Sequence, residues 1–489
     1  MSGTWVLLSW LVSVSLGYGA LGGYLGRLVE GYDSSANSSL PALATAVSLT
    51  LSLALTLAWA RARVRQARDS DLPGRRFFLL GALGAGGGVL ATGLSAMGRV
   101  SDWYTVSGKN IFLVRPPYKA DEALIEWSGS TVQNYRRLGR TEALISDISL
   151  GSGSGTGGRQ TVEVARQAID RGINYFDTAP DYSGTDSEYR LGKAMKGVRD
   201  QMFLATKFCR PGGHLGADHS VADYIEAVEG SLQRLQTDRV DLVHIHSCDT
   251  VDRLMAENAH EAFDRLKAAG KVRFLGVSTH TPNLEAIANQ AIESDRFDVL
   301  MLAYHHGAWP GIGDIIDRAA AQDIGVVAMK TLRGAMHQGL MQSRAEQDSY
   351  TQAAFRWVLS NPSVSGLVIS LWESSQLDEF LYASGQPPEP GDQDLLANYA
   401  AKVEGEHCRP HCGLCLGHCP EQLAINDILR HRMYFKYYGA QKEAMRLYDG
   451  LERKADLCAG CSAPCAQACP ESIPIPEHAQ EAHRLLTLG

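Results

Sequence analysis

The sequence predicts a closed (β/α)8 barrel, a TIM barrel, with three transmembrane helices before it and an α-helical, cysteine-rich domain after it. Three observations carry this prediction. Eight short apolar runs alternate with helix-like segments in the middle of the chain. Three long stretches without charge occupy the first hundred residues, and eight of the ten cysteines lie in the last hundred. The 489-residue chain is long enough for two or three units, and its net charge of −8 argues against nucleic acid as a partner.

The first domain, residues 1–98, contains the apolar stretches Trp5–Gly26, Leu40–Ala60 and Phe77–Met97. Each has about twenty residues, enough to cross a hydrocarbon core of roughly 30 Å. The third stretch is rich in glycine. A buried helical hairpin of a soluble domain is the alternative, but three such stretches in succession favour membrane spans.

Arginines between the second and third stretches predict the orientation: Arg61, Arg63, Arg65, Arg68, Arg75 and Arg76. The positive-inside rule places this loop in the cytoplasm, so the domains after the third stretch are expected on the periplasmic side of the cytoplasmic membrane. Gly74–Leu80 reads GRRFFLL and resembles a twin-arginine export signal. The alternative is that these two arginines only strengthen the basic loop.

Residues 99–133 are interpreted as a linker and residues 134–385 as the barrel. The predicted strands are Ile145–Leu150, Asn174–Asp177, Met202–Phe208, Asp241–Ser247, Val272–Ser278, Phe297–Tyr304, Gly325–Lys330 and Gly366–Ser370. A closed barrel is favoured over a doubly wound sheet because no Gly-rich dinucleotide fingerprint follows the first strand. GSGSGTGG at 151–158 indicates only a flexible loop.

Reactive side chains recur where these strands end. Asp177 closes the second strand and Tyr182 follows five residues later, while Lys207 and His246 lie near the ends of the next two strands. Strand ends at the carboxyl face of a barrel converge, so an acid, a phenol, an ammonium and an imidazole are expected to form a proton-transfer site.

The runs YRRLGRTEALISDISLGSG, GINYFDTAPDYSGTDSEYRLGKAM, TKF, DLVHIHS, GKVRFLGVST and FRWVLSNPSVSGLVIS together resemble the aldo-keto reductase superfamily over roughly residues 134–385. The resemblance implies the barrel fold and places Asp177, Tyr182, Lys207 and His246 on the family's four catalytic positions. Tyr182 would donate a proton to a developing alkoxide, helped by the charge of Lys207. Asp177 would hold Lys207, and His246 would orient the oxygen of a carbonyl or alcohol substrate. Singly, these residues have structural explanations: a turn acid, an ion pair and a packed histidine.

The nucleotide pocket departs from the family pattern. Ser278 is followed by Thr279 instead of asparagine, and Met301 stands where glutamine is usual. Ser278, Thr279, Lys330 and Ser370 are the candidate cofactor-binding residues, yet Glu373 would repel a 2′-phosphate. NADPH use is therefore doubtful, which leaves NADH, weak nicotinamide binding or another electron source.

Residues 386–489 contain two runs of four cysteines, each ending in Cys-Pro: Cys408, Cys412, Cys415 and Cys419, then Cys458, Cys461, Cys465 and Cys469. They resemble two-cluster ferredoxins, which implies two 4Fe-4S clusters, each held by three cysteines of one run and the fourth of the other. One gap in each run is a residue longer than the family's. Two zinc sites and disulfides are the alternatives. Cys209 and Cys248 are interpreted as packing residues.

The combination resembles the iron–sulfur subgroup of aldo-keto reductases. It predicts a membrane-anchored oxidoreductase that acts on a carbonyl or alcohol and passes electrons through two clusters, with a quinol or a protein as electron partner. Two alternatives are an electron-transfer subunit with a non-catalytic barrel and a regulatory barrel that binds nucleotide.

Overall fold

The computed structural model describes residues 3–16, 40–68, 85–94, 125–152, 160–308, 311–333, 349–371, 374–437 and 441–487. The chain divides into two compact units, Met1–Pro117 and Tyr118–Gly489. The second unit contains both the barrel and the cysteine-rich region, which we call the cysteine module (residues 386–489).

The N-terminal unit contains the helices Gly3–Leu16, Leu40–Arg68 and Ala85–Leu94. Hydroxyl groups join the first two: the Ser13 Oγ lies 2.8 Å from the Ser48 Oγ and 3.0 Å from the Ser52 Oγ. The Trp10 indole donates a hydrogen bond of 3.0 Å to the Thr56 hydroxyl. The third helix approaches the first so closely that a Cβ on Gly88 would overlap the Trp10 ring.

The prediction of three membrane-spanning helices is only partly met. Among the described residues, one helix is long and apolar enough to cross a membrane, over Ala44–Ala62. The other apolar helices, Val6–Leu16 and Ala85–Leu94, are shorter. At a rise of 1.5 Å per residue, ten to fourteen residues extend about 15–21 Å, less than a hydrocarbon core of about 30 Å. The remaining parts of the first and third predicted spans lie outside the described residues.

Eight parallel strands close into the predicted barrel. They are β3 (Ile148–Gly151), β4 (Tyr175–Asp177), β5 (Phe203–Arg210), β7 (Val240–Ile245), β8 (Val272–Thr279), β9 (Val299–Ala303), β10 (Gly325–Met329) and β11 (Gly366–Ser370). Each strand pairs with the next in this order, and β11 pairs with β3 to complete the ring. Each of the eight predicted apolar runs overlaps one barrel strand.

Helices pack around the strands. Those of the barrel are Val162–Asp170, Asp186–Ala194, Val221–Leu235, Val251–Leu254, Glu257–Ala268, Leu284–Ser294, Gly311–Ala321, Tyr350–Leu359 and Ser374–Tyr382. Alternate strand residues point inward, where Tyr175, Phe203, Leu242 and Met301 belong to one small core. The other alternate residues face the helices and form the larger core.

A hairpin closes the amino end of the barrel, formed by β1 (Tyr135–Arg137) and β2 (Leu144–Ser146). The predicted strand Ile145–Leu150 is in fact two strands, β2 and β3, separated at Asp147. The buried Asp147 carboxylate explains the break, because it accepts hydrogen bonds from the Ile148 and Gly385 amides and the Ser384 hydroxyl.

The cysteine module is helical, with helices Asp392–Val403, Ile425–Lys436, Gln441–Asp449, Pro464–Gln467 and Ile475–Leu486. It packs on loops that follow the barrel strands. A Cβ on Gly413 would overlap Pro282, which follows β8. Arg333, which follows β10, donates a 2.5 Å hydrogen bond to Glu471, and Arg409 pairs with the same carboxylate. The module therefore covers the carboxyl ends of β8 and β10.

Candidate active site

Three neighbouring strands bring the predicted proton-transfer residues together. Asp177 is the last residue of β4, Lys207 lies in β5, and His246 directly follows β7. The parallel register pairs Asp177 with Ala205 and Lys207 with His244, so the alternation of each strand turns the reactive side chains into the barrel. Tyr182 begins the short 3-10 turn after β4.

The distances define a connected site. The Lys207 Nζ donates to the Asp177 Oδ1 at 2.6 Å and to the Thr178 carbonyl at 2.8 Å. The same ammonium lies 4.9 Å from the centre of the Tyr182 ring. The Tyr182 hydroxyl is 3.5 Å from the His246 Nε2. Lys207 is 1% and Asp177 3% exposed, so this ion pair is almost completely removed from water.

Burial dominates the protonation states. It lowers the pKa of His246 well below the usual value, with His214 and Lys207 adding to the effect, so the imidazole is neutral at pH 7. Burial also raises the pKa of Tyr182, and the carboxylates of Asp177 and Asp181 raise it further. A raised pKa of Tyr182 is opposite to the sequence prediction, in which the charge of Lys207 makes the Tyr182 phenolate easier to form. The Lys207 ammonium contacts Asp177 directly, so the negative charge of that carboxylate offsets much of the effect of Lys207 on Tyr182.

The candidate cofactor-binding residues lie at the ends of β8, β10 and β11 or directly after them. The Thr279 hydroxyl donates to the Cys248 carbonyl at 2.8 Å, and the Ser278 hydroxyl accepts from the Ser247 amide at 3.0 Å. Both side chains are buried in these backbone contacts. Lys330 is exposed after β10, and Ser370 ends β11.

Two departures noted in the sequence, Met301 and Glu373, and the surroundings of Lys330 remain to be placed in the structure. Met301 lies in the small core inside the barrel. The only cation near Lys330 in the described loop is Arg333, which pairs with Glu471 of the cysteine module. Glu373 lies outside the described residues.

Several residues of the site were not predicted. Asp181 and His214 lie beside His246: the His246 Nδ1 is 3.7 Å from the Asp181 Oδ1, and the rings of His214 and His246 are 4.2 Å apart. Arg253 holds the His246 carbonyl with a hydrogen bond of 2.6 Å. Asp181 could have been found because it precedes Tyr182. His214 is carried by β6 (Gly213–His214), a two-residue strand without a sequence signal.

The structure gathers the eight module cysteines into two groups of four. Cys408, Cys412, Cys415 and Cys469 line one pocket, together with Leu429, Ile473 and Ile475. Cys419, Cys458, Cys461 and Cys465 form the second group: besides burial, the three neighbouring cysteines raise the pKa of Cys458, and Cys419 and Cys461 raise the pKa of Cys465. Three cysteines of one run thus meet the fourth of the other, the partition that the ferredoxin resemblance implies.

Thiols in both groups are free and hard to ionise without a cation. All ten cysteines of the chain are unpaired. Burial raises the pKa of Cys408 to about 12 and that of Cys458 to about 11, with neighbouring cysteines contributing in both cases. Four thiols around one apolar-walled pocket are a donor set that fits an iron–sulfur cluster.

Comparison with known proteins relates the barrel to one family. Residues 148–349 match the model of the aldo/keto reductase family. The barrel is therefore similar to that family over these residues. This domain is similar to the L-galactose dehydrogenase of Arabidopsis thaliana, at 27% identity over 302 residues, which are 55% of this chain and 94% of that protein. It is also similar to the methylglyoxal reductase YeaE of Escherichia coli, at 28% identity over 221 residues, 42% of this chain and 72% of that protein.

A solved aldo-keto reductase from Bacillus halodurans covers 54% of this chain and 96% of its own length, at 23% identity and a TM-score of 0.45. The family match and the named relatives support an oxidoreductase of the aldo/keto reductase type. The matched residues end at 349, so the cysteine module lies beyond the family match.

Proposed function

We propose that this chain is a membrane-anchored oxidoreductase that interconverts a carbonyl and an alcohol in the barrel and exchanges electrons through two 4Fe-4S clusters in the cysteine module. The observation that carries the proposal is the connected set of Asp177, Lys207, Tyr182 and His246 in a barrel whose carboxyl end also contacts a module with two groups of four thiols. Small carbonyl compounds are the proposed substrate class, since two relatives are named for methylglyoxal and L-galactose.

The chain's own residues would handle the protons. In the direction of reduction, Tyr182 donates its phenolic proton to the substrate oxygen, and the neutral His246 imidazole fixes that oxygen by a hydrogen bond. Lys207, held by Asp177, stabilises the phenolate that remains. When bound, the clusters supply one-electron transfer. The reduction also takes up two electrons and a second proton. A reduced nucleotide would supply them together as a hydride, whereas a quinol or a protein partner would supply the electrons and water the second proton.

The N-terminal unit supports the membrane anchor by its distribution of polarity. Ser13, Thr45, Ser52 and Thr56 are buried between its helices, whereas large apolar side chains are exposed: Leu7, Leu8, Leu11, Val12, Val47, Leu51, Leu57, Val89, Leu90 and Leu94. Such an arrangement is unfavourable in water and suits a lipid environment, where hydroxyl groups join helices. We propose a place in the cytoplasmic membrane with the barrel on the periplasmic side, because the arginine loop favours the cytoplasm.

A test of the redox assignment begins with the full chain purified anaerobically in detergent. We expect about eight iron and eight sulfide per chain, the content of two 4Fe-4S clusters. Titration with NADPH, NADH and dithionite then identifies the donor: bleaching by dithionite but by neither nucleotide would indicate a quinol or protein partner. A preparation with zinc in place of iron and sulfide would refute the cluster assignment.

The proton donor is tested by Tyr182→Phe, with methylglyoxal as substrate and reduced methyl viologen, NADH or NADPH as donor. We expect turnover to fall about 10²–10⁴-fold, the usual contribution of a positioned general acid. Tyr135→Phe is the matched control, because its hydroxyl bonds to Gly172 at the opposite end of the barrel. Full turnover by Tyr182→Phe would exclude Tyr182 as the donor.

A second candidate is an electron-transfer subunit whose barrel does not catalyse. The raised pKa of Tyr182 favours it, because burial and two carboxylates oppose release of the proton. It predicts that the clusters are reduced by a quinol analogue such as duroquinol while no carbonyl compound is turned over. The two candidates therefore differ in one measurement, carbonyl-dependent reoxidation of reduced clusters.

The topology has its own test. A reporter of a kind that works only outside the cytoplasm is fused after Gly489, and we expect it to be active. The double variant Arg75→Lys with Arg76→Lys should abolish that activity if the pair serves in export. A second reporter, of a kind that works only in the cytoplasm, is fused at the same position. Activity of this second reporter would contradict the proposed orientation.

A further inference from the structure

Four side chains with metal-binding atoms converge next to Tyr182. Asp181, Cys209, His214 and His246 each direct one potential ligand atom to the same place, and these atoms all lie within 4.8 Å of one another. They come from three parts of the barrel end. Asp181 follows β4, His246 follows β7, and the antiparallel pairing of β5 with β6 sets Cys209 opposite His214.

The spacing fits a single ion. One Asp181 oxygen is 3.7 Å from the His246 Nδ1, and the other is 3.6 Å from the His214 Nε2. In a tetrahedral zinc site, bonds of about 2.0–2.1 Å hold oxygen and nitrogen ligand atoms about 3.4 Å apart. These two separations need to shrink by only a few tenths of an ångström, and they are too long for hydrogen bonds. The remaining ligand atoms, which lie within 4.8 Å of one another, would have to move closer by up to about 1.4 Å.

Two of these atoms, the His246 Nδ1 and the Asp181 Oδ1, are buried and make no hydrogen bond to the described residues. The His246 residue is only 6% exposed. A buried polar atom left unpaired costs about 1–3 kcal/mol, so an arrangement that keeps two of them side by side calls for a ligand between them. The other ring nitrogen of His246 is the one that faces Tyr182, so Nδ1 is available.

We propose that Asp181, Cys209, His214 and His246 form a mononuclear transition-metal site, with Zn²⁺ as the ion that fits best. One thiolate, two imidazoles and one carboxylate suit zinc, whereas magnesium and calcium prefer oxygen ligands. A thiolate and a carboxylate together cancel the charge of a divalent cation, so the filled site is electrically neutral. The buried Cys209 thiol loses its proton when the ion binds.

The position next to Tyr182 gives the ion a chemical role. His246 belongs to the four-residue set through its Nδ1 and faces the Tyr182 hydroxyl through its Nε2. A cation bound at Nδ1 therefore draws electron density from the imidazole and makes the Nε2 side a better hydrogen-bond donor. The site stands on its own geometry, so it would exist in a catalytic and in a non-catalytic barrel alike.

Metal content tests the site. Full-length protein and variants are stripped with EDTA, loaded with Zn²⁺ and dialysed, and bound zinc is counted by mass spectrometry. We expect Cys209→Ser and His214→Ala each to hold one zinc fewer than the unaltered chain. Zinc on the module cysteines cancels in this difference, since all eight are present in every sample. Cys248→Ser and His219→Ala are the matched controls, a buried cysteine and a nearby histidine outside the set.

Cobalt gives an independent signal. Co²⁺ bound to the unaltered chain should show a thiolate-to-cobalt charge-transfer absorption. Its intensity should decrease in Cys209→Ser by the contribution of one cobalt–thiolate bond and should be unchanged in Cys248→Ser. His214→Ala keeps the test valid if Cys209→Ser does not fold, because the His214 side chain is 37% exposed and carries little of the core. Equal zinc and equal cobalt spectra in the unaltered chain and both set variants would overturn the proposal.

Discussion

The two halves of the barrel's carboxyl end differ in whether another part of the chain covers them. On the half formed by β4, β5 and β7, Asp181, Tyr182 and His214 remain partly exposed above the Asp177–Lys207 pair. On the half formed by β8, β9 and β10, the chain's own cysteine module lies on the loops, through Pro282 and Arg333. The polar groups of the first half are therefore open to solvent, whereas Arg333 of the second half contacts another part of the chain.

The difference bears on where the proposed proton chemistry and the supply of electrons lie at this barrel end. Aldo/keto reductase domains bring hydride donor and proton donor to one barrel end, as the sequence resemblance implies. Here the proton side retains its four residues, whereas Arg333 on the other side is neutralised by Glu471. In the proposed function, the module of thiols placed there would provide an alternative route for electrons.

The largest expected effect is on the proton side, from Asp177→Asn. Removing the carboxylate leaves the Lys207 ammonium buried without its 2.6 Å partner, and breaking such a pair costs about 3–5 kcal/mol. We expect the free energy of unfolding of the barrel, measured by urea titration, to fall by that amount. Asp177→Asn with Lys207→Met should recover much of it. The exposed pair of Arg239 and Asp200 is the control, since Arg239→Gln should cost at most about 1 kcal/mol.

A somewhat smaller effect is expected on the module side, from Glu471→Gln. The substitution removes the charge that Arg333 and Arg409 share, and hydrogen bonds to charged groups contribute about 1.5–3 kcal/mol. We expect faster proteolytic separation of the module from the barrel, with little change in the barrel's own unfolding. Unchanged proteolysis would show that this contact does not hold the module in place. The double variant Glu471→Gln with Arg333→Met should be milder than Glu471→Gln alone.

Much of the barrel and of the candidate site could be predicted from the sequence, because these features depend on residues that are close together along the chain. Strand patterns and end residues are set by neighbours along the chain, so the eight strands and Asp177, Tyr182, Lys207 and His246 could be predicted. Contacts between distant segments could not. Nothing near Glu471 indicates that it meets Arg333, 138 residues away, and His214 depends on a two-residue strand. Three apolar stretches suggested three spans, but apolar composition does not fix where a helix ends.

The pH dependence of stability gives a third test, on the module side. Burial lowers the pKa of His305 to about 3, so the folded chain keeps this imidazole neutral while the unfolded chain protonates it near pH 6.5. Stability is therefore full above pH 6.5 and is lost as the pH falls towards 3, by up to about 1.4 kcal/mol per pH unit for one group. His305→Gln should reduce the slope of unfolding free energy between pH 6.5 and 5. An unchanged slope would mean that His305 is solvated in the folded protein.

The smallest effect tests the nucleotide contacts themselves, through Thr279→Val. The Thr279 hydroxyl donates to the Cys248 carbonyl at 2.8 Å, and a neutral hydrogen bond of this kind contributes about 1 kcal/mol. Valine keeps the shape and removes the bond, so we expect stability to fall by about 1 kcal/mol. The affinities for NADH and NADPH, measured by fluorescence titration, should not change.

The matched variant is Ser278→Ala, whose hydroxyl accepts from the Ser247 amide on the same loop. If both hydroxyls serve only the backbone, the two variants should behave alike: a small loss of stability and no change in nucleotide affinity. A tenfold weaker binding of either nucleotide by Thr279→Val would instead show that this side of the barrel still holds a nicotinamide. The contrast between the two halves of the barrel end would then be one of degree, with the cysteine module lying over a nucleotide site that still binds.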